Sequence, residues 1–567
     1  MKKYFKISYI GIFALMITLV SCEDFLYRPL EDNYTIDGFY QTDDQCFQAA
    51  NFLYSSPWHD YHRGFFKIGD GMAGNFYMGI DNEYQTISVT SSNEDLINAS
   101  NSLWLVNGHA NAIIDNIKKR AGSKVSEQTK NTVIGEAMVW KAMAYFYLVR
   151  GWGAVPIIHN NSTVLGDGNA NSLKKNHIED VYEYITRTLT KASELLPAAN
   201  QPGRINKYSA YGLLAKVYLT RSGLGQSGQR KQEHLDKAKE YAAKVINESG
   251  ASLEPVYANL FRISTGNFNS ENLISWQWVV AGPWTASSYM QSDLAPGGNF
   301  SGNGDGWGQY TGPTVDLQKL FNEDPREARQ NIDVRRKATM MMKDDFYPNF
   351  WRHAGGFTAT FDNDNNVAGA AFESPTGAQN VKHLVGHYLD HQAEAGVPSQ
   401  AMKYSLATHL LRLADVYLIY TESVIGNSGT TSDALALQVY NAVKRRADKN
   451  WVDATSVTFN DIFDERRREL ALEGDNWFDY VRLSYYDPTM ALQKINNQER
   501  GYFKAAELKE YYKGTRDKAA IEFTSFKLNI TSVDKFRIPF PDTDLSKNPN
   551  LMDGVESVPF DFSTIEY

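Results

Sequence analysis

From Asn131 to Val149 apolar residues recur at three- and four-residue steps, and Gly151 with Pro156 closes the run, which predicts a helix. The same spacing predicts helices over Ile178–Leu196, stopped by Pro197, over Lys207–Thr220, stopped by the glycine-rich Ser222–Gly228, and over His234–Ile246, stopped at Gly250. Ala142, Ala144, Ala210, Ala215 and Ala242 interleave with Tyr145, Tyr147, Tyr211, Tyr218 and Tyr241, so the helices can approach closely and stack as hairpins. That composition is tetratricopeptide-like, but no period of about 34 residues is sustained, so hairpin geometry is expected rather than a regular array. Helical spacing returns over Ala407–Val424, Ser432–Ala447 and Ile462–Leu483, with Gly426 and Gly429 separating the first from the second. Between the blocks, Ala251 to Gln400 is rich in Gly, Asn, Ser, Thr and aromatic residues, with a helical stretch at Thr314–Asn322. The expectation is a mainly α fold: a scaffold over about 40–250 and 400–567, and a loop-rich insertion with short strands over about 251–400. Long irregular segments on a rigid scaffold are where function concentrates.

Lys2, Lys3 and Lys6 precede the apolar run Ile7–Val20, so residues 1–21 read as a secretory signal. At about fourteen residues the run is shorter than the roughly twenty a membrane-spanning helix requires. Leu19-Val20-Ser21-Cys22 is the pattern a bacterial lipoprotein signal peptidase reads, and Cys22 is expected to become the acylated N-terminus. Each buried methylene contributes about 0.8 kcal/mol, so several acyl chains anchor the protein stably while its body stays in water. Once Cys22 is acylated, Cys46 has no disulfide partner and is expected as a small buried apolar residue. A net charge of −9, spread along the chain, provides no basic field for a phosphate backbone and excludes nucleic acid. Aromatic residues make up 13% of the sequence, including 33 Tyr and 11 Trp, more than a core requires, so some are expected to face solvent.

Several segments resemble the SusD/RagB family of outer-membrane nutrient-binding lipoproteins, and the resemblance runs through nearly the whole chain. Cys22-Glu23-Asp24-Phe25-Leu26 is similar to the family's acidic start. Gly135-Glu136-Ala137, Ala144 to Val149 and Trp152-Gly153-Ala154-Val155-Pro156 match its first core helix and exit. Gly203 to Lys207 with Leu214 to Leu219, and Arg412 to Leu418 with Glu422, resemble later signatures. Val443 to Ala447, Glu465 to Leu470, Glu473-Gly474 and Trp477-Phe478-Asp479 match the most distinctive block. Ile538-Pro539, Asp544-Leu545 and Asn548 to Leu551 resemble the ending. The resemblance implies about four tetratricopeptide-like hairpins on a lipid-anchored, surface-exposed protein of a Gram-negative outer membrane. It further implies capture of oligosaccharides, without catalysis, and their delivery to a TonB-dependent transporter barrel (SusC-like) over which the protein sits as a lid. The arginine run within Glu465–Glu469 then reads as structural: Glu465 and Arg468 share a helix face, Arg466 and Glu473 lie within two turns, and Asp415 reads as a paired buried acid.

Sugars present flat C–H patches that stack on indole or phenol rings while polar side chains fix orientation. The insertion supplies Trp284, Tyr289, Trp307, Tyr310 and Trp351, beside Asn299, Asn303, Asp305 and Gln309. Trp307 leads, because it stands in Gly302–Gly308, a stretch read as too flexible for a core, and Trp284 follows Gly282-Pro283. Trp276 and Trp278 alternate with polar residues and are expected half-buried in a strand. The N-terminal segment offers Trp58, Tyr61, Phe76 and Tyr77, with Asp81 and Asn82 beyond, and Tyr77 is the ring expected from that side. Trp104, Trp140, Trp152 and Trp477 are assigned to the core. The ligand expected is a β-linked plant polysaccharide such as a hemicellulose, rather than an α-glucan or a host glycan.

His383, His387 and His391 recur every fourth residue, but Leu384 replaces the glutamate of a zinc-protease helix and Gly386 interrupts the helix, so no metal is assigned. Asp362, Asp364, Asn366 and Glu373 occupy calcium-loop spacings, although Val367 stands where that loop needs glycine. Structural calcium is the one cofactor left open. Gly302, Gly304, Gly306 and Gly308 lack the strand and helix of a nucleotide fingerprint. Two rival readings stand: a surface glycoside hydrolase, for which no carboxylate pair is singled out, and a protein-binding tetratricopeptide module, which has no use for tryptophans in glycine loops.

Overall fold

The computed structural model describes residues 36–166, 170–360 and 373–566. The signal segment, Cys22, and the positions Asp362, Asp364 and Asn366 lie outside them. The frame consists of α1 Asp43–Asn51, α2 Glu94–Arg120, α3 Glu127–Trp152, α4 Ile178–Leu195, α5 Lys207–Arg221, α6 Gln232–Glu248, α7 Leu413–Ile425, α8 Ala434–Ala447, α9 Phe459–Leu470 and α10 Asn476–Ser484. Several start where a polar side chain takes a first-turn N–H: Asn93 caps α2, Ser126 caps α3, Asn206 caps α5, Asp433 caps α8 and Thr458 caps α9. From α2 to α7 every helix packs on the next, and α8 and α9 both pack on α7, so the hairpin stack is the expected mainly α architecture. Residues Thr132 to Trp152 of α3 are buried on all sides, as suits a central helix without a polar face. Cys46 is buried and free.

The insertion enters between α6 and α7 and carries short strand pairs: Asn272–Trp276 on Thr408–Arg412, Phe76–Tyr77 on Gly312–Pro313, Met340–Met342 on Ala378–Asn380, and Phe346–Tyr347 on Phe357–Thr358, all antiparallel. Two expected helices are thereby corrected. Thr408–Arg412, expected as the first turns of one helix, is a strand, because its side chains are buried on both faces and its backbone pairs with Asn272–Trp276. Ile462–Leu483, expected as a single helix, breaks between α9 and α10. There Leu472 and Gly474 adopt φ of 62° and 73°, and the buried carboxylate of Asp70 accepts both their N–H groups at 2.8 Å. A Cβ on Gly69 would lie 2.2 Å from the Gly474 carbonyl carbon, so the two backbones touch at the break. Trp276 and Trp278 are fully buried rather than half-buried, and Trp104 is half-buried whereas Trp140, Trp152 and Trp477 are core.

Buried ion pairs join insertion to frame. Arg412 donates to Glu271 at 2.6 Å, Glu469 at 3.0 Å and Glu473 at 2.7 Å, while Arg335 reaches Glu465 at 2.6 Å and Glu469 at 2.9 Å. Lys382 adds a contact to Glu473 at 2.8 Å, and Arg446 meets both Glu271 and Glu469 at 2.5 Å. Glu465 and Arg468 pair at 3.3 Å as expected, but Arg466 does not reach Glu473. It bonds instead to Asp415 at 2.6 Å and Asp479 at 3.0 Å, and Lys216 completes the pairing of Asp415 at 2.7 Å. Burial alone would raise the carboxyls of Glu465, Glu469 and Glu473, yet the facing cations outweigh it and hold all three down at about 2.

Two outcomes follow from this network. Arg412→Met leaves three buried carboxylates short of a partner and should lower urea-unfolding stability by about 3–5 kcal/mol. Because the folded carboxyls titrate below their ordinary range, their contribution is complete above about pH 4.5 and is lost as pH falls toward 2. Unfolding followed against pH should therefore show stability dropping steeply through that window, and the drop should be shallower in the Arg412→Met protein.

Candidate functional site

The short helix His62–Phe66 and the insertion segment Met290–Leu294 meet through one bidentate contact: Arg63 donates to Asp293 through Nε at 3.0 Å and Nη2 at 3.2 Å. Asp293 also accepts the indole N–H of Trp307 at 2.8 Å, which fixes that ring while leaving it 44% exposed. The Arg63 guanidinium lies 5.9 Å from the centre of the Tyr289 ring, and Tyr289 runs parallel to Trp284 with centroids 6.3 Å apart and 6° between planes. Trp284, in the single turn Trp284–Ala286, is 40% exposed. The His59 ring backs both, 5.3 Å from Trp284 and 4.9 Å from Tyr289. A continuous row thus runs Trp284, Tyr289, Arg63, Asp293, Trp307, with indole faces wet at both ends. Tyr310, three residues past Trp307, is 61% exposed, and its hydroxyl bonds to Glu373, which raises its pKa.

Polar groups flank the row. Asp60 is exposed and takes a hydrogen bond from His59 Nδ1 at 3.0 Å, which lowers its carboxyl below the usual value. Arg63 stays partly exposed, 3.7 Å from Asp95 of α2, and Asp95 is also held by Lys67 at 2.5 Å. These groups supply donors and acceptors beside apolar ring faces, the combination that orients a polyhydroxylated ligand.

The glycine-alternating loop is not the flexible stretch expected from its sequence. Asp305 is buried beneath it and accepts hydrogen bonds from Ser292 Oγ at 2.7 Å, Met402 N–H at 2.6 Å, Tyr404 Oη at 2.7 Å and Ser301 Oγ. A Cβ on Gly306 would sit 2.2 Å from the Gly297 carbonyl oxygen, and one on Gly302 2.2 Å from His387 Nε2. The glycines therefore permit close packing that holds Trp307 in place, and Asp305 is an anchor rather than a ligand contact.

Three further rings differ from their expected roles. Tyr289 is only 8% exposed, and burial raises its phenol pKa, so it backs Trp284 instead of presenting its own face. Tyr77 is 5% exposed because its strand is covered by Gly312–Pro313 and by Tyr502 at 6.1 Å, and burial pushes its phenol up to about 12. Trp351 is half-buried in a left-handed turn, its indole N–H bonded to Phe300 O at 2.9 Å and its ring 5.1 Å from His353 and 4.7 Å from His387. The ring contributed from the N-terminal side is thus replaced by Arg63, His59 and Asp60. Only an inventory of short-range polar residues before the long helices would have singled these out, since Arg63 and Asp293 stand 230 positions apart. Of the spaced histidines, His383 bonds to Leu472 O at 2.7 Å, His391 to Val397 O at 2.7 Å, and His387 caps a helix. Among the described residues no cluster of three metal-ligating side chains forms, and no helix is long and apolar enough to cross a membrane.

Residues 276–554 match the SusD family, and residues 61–219 match a family described as starch-binding and associating with the outer membrane. A SusD-like protein of Bacteroides ovatus is 33% identical over 583 residues, covering 99% of this chain and 100% of its own. A protein crystallised with xylogluco-oligosaccharide superposes with a TM-score of 0.77 at 30% identity, over 91% of this chain and 99% of that one. A laminarin-binding SusD-like protein superposes at 0.63 with 19% identity, over 90% and 98%, a likeness of fold. With two family profiles in sequence along it and a relative one-third identical from end to end, this chain belongs to the SusD family of glycan-binding proteins.

Proposed function

We propose that this protein is a cell-surface lipoprotein of the outer membrane that captures a xyloglucan-type hemicellulose without cleaving it and passes oligosaccharides to a TonB-dependent transporter. The observation that carries the reading is the row from Trp284 to Trp307, with two indoles held wet on a frame that fixes their separation. Flat, equatorially substituted β-linked glucose units suit such a row, because an extended chain can lie along it with separate rings on the indoles at its two ends. Likeness to the protein crystallised with xylogluco-oligosaccharide supports this choice of glycan. Acylation of Cys22 would tether the binding body to the membrane, and the acidic Glu23-Asp24 start agrees with display at the outer face.

The test is affinity-gel retardation on xyloglucan, laminarin and starch by the chain from Glu23 onward, with reducing ends assayed in parallel. Xyloglucan should retard the protein most, with no release of reducing ends; release that disappears on substituting a carboxylate would establish a hydrolase instead. Trp284→Ala and Trp307→Ala should each weaken binding by about 1–2 kcal/mol through lost apolar contact and together abolish retardation, with the circular dichroism spectrum unchanged. Asp293→Ala frees the Trp307 indole and the Arg63 guanidinium together, and should weaken binding about tenfold although Asp293 is itself nearly covered. In cells, Cys22→Ala should remove the protein from the membrane fraction and abolish its labelling by palmitate.

A further inference from the structure

A cavity of about 550 Å³ opens between α2, α3, α4 and the C-terminal segment, and it shares no residue with the aromatic row. Its volume lies within the roughly 300–1,000 Å³ typical of small-molecule sites. Lys141 of α3 lines it, only 2% exposed, yet among the described residues no carboxylate pairs with this lysine. Its ammonium donates to His159 O at 3.0 Å and lies 5.3 Å from the centre of the Tyr184 ring. Two of its three N–H donors are therefore without an oxygen acceptor. Buried Lys216 meets Asp415 and Asp475, and buried Lys382 meets Glu473, while buried Arg500 has its donors taken up by Gln498 and the Gln85 and Met72 carbonyls. Lys118 of α2 lines the same cavity without an ion pair, whereas its neighbour Lys119 is taken by Asp115 at 2.7 Å. Asn111 lines the same cavity, and its buried side-chain oxygen has no hydrogen-bond partner among the described residues.

We propose that this cavity binds a small hydroxylated carboxylate of sugar-acid type, its carboxylate held by Lys141 and Lys118 and a hydroxyl donating to Asn111. An unpaired buried ammonium and an unpaired buried carbonyl are each costly, and a ligand carrying an anion and a hydroxyl satisfies both. A neutral sugar satisfies only the second. Charge state agrees with this assignment. Burial, with Lys118 nearby, brings the Lys141 amine down to about 7, so an anion that restores its charge gains affinity as the pH falls. The other charged or titratable groups around it are Asp115 and Lys119 on α2, Tyr184 on α4, Glu566 on the C-terminal segment, and His159, which burial brings down to about 4 and keeps neutral.

The experiment is calorimetric titration of the full chain in detergent with glucuronate, with glucose as the uncharged counterpart. Glucuronate should bind at least about tenfold more tightly than glucose, and its affinity should fall about tenfold or more between about pH 6 and about pH 9 as Lys141 loses its proton. Lys118→Met, at an exposed position, should weaken glucuronate binding about threefold to tenfold with the circular dichroism spectrum unchanged, and Lys141→Met should abolish it. The Trp284→Ala, Trp307→Ala double variant should bind glucuronate as the parent does. Should Lys141→Met fail to fold, the Lys118→Met result and the pH dependence decide. Absence of glucuronate binding, equal binding of glucose, or affinity indifferent to Lys118→Met overturns the proposal. Loss of glucuronate binding in the tryptophan double variant overturns it too, by placing the ligand on the aromatic row, and none of these outcomes bears on xyloglucan retardation.

Discussion

Glu469 is the point on which the architecture turns: one buried carboxylate meets Arg335 from the insertion, Arg412 from the strand leading into α7, and Arg446 from α8. Taking so many charges out of water costs several kcal/mol per ion, and mutual attraction offsets that cost only when every partner is in place. Such a cluster tolerates one arrangement of the segments that contribute to it. An apolar interface of the same size would position the insertion by shape alone, without the directional partners this cluster requires. The ion cluster thus defines where the insertion sits, and the row of rings inherits that definition.

The frame was largely legible in the sequence, because three- and four-residue spacing, Pro and Gly stops and polar caps are local signals. Ile178–Leu195 and Lys207–Arg221 end within one residue of the reading from periodicity alone. What escaped is what distant segments decide. The strand Thr408–Arg412 looks helical until Asn272–Trp276 is laid beside it, and the break after Leu470 is made by Asp70, some 400 residues earlier in the chain. In the site, Trp284 and Trp307 were legible because tryptophan beside glycine or proline has no helical core to join. Tyr289 and Tyr77 misled for the complementary reason: burial by a partner segment leaves no mark on the residues that are buried. The pairing of Arg63 with Asp293 left no local signal, because the two stand 230 positions apart.

Rigidity is also the key to the glycine loop. Composition alone argues for mobility, but Asp305 gathers four donors beneath the chain and the glycines let backbone lie against backbone. A stacking ring held this way loses little freedom when a sugar arrives, so contact energy is not spent on ordering the loop.

Arg63 and Asp293 close a loop of 230 residues. A chain that has assembled its first helices but not yet docked the insertion has Arg63 and His59 beside Asp95 and Asp60 alone, without Asp293, Tyr289 or the tryptophans, and no shelf exists. Recognition is therefore a property of the finished molecule only, and a bound saccharide would add its binding free energy to the cohesion of the entire body, not to one loop. Heating the protein with and without its glycan would then displace a single cooperative transition.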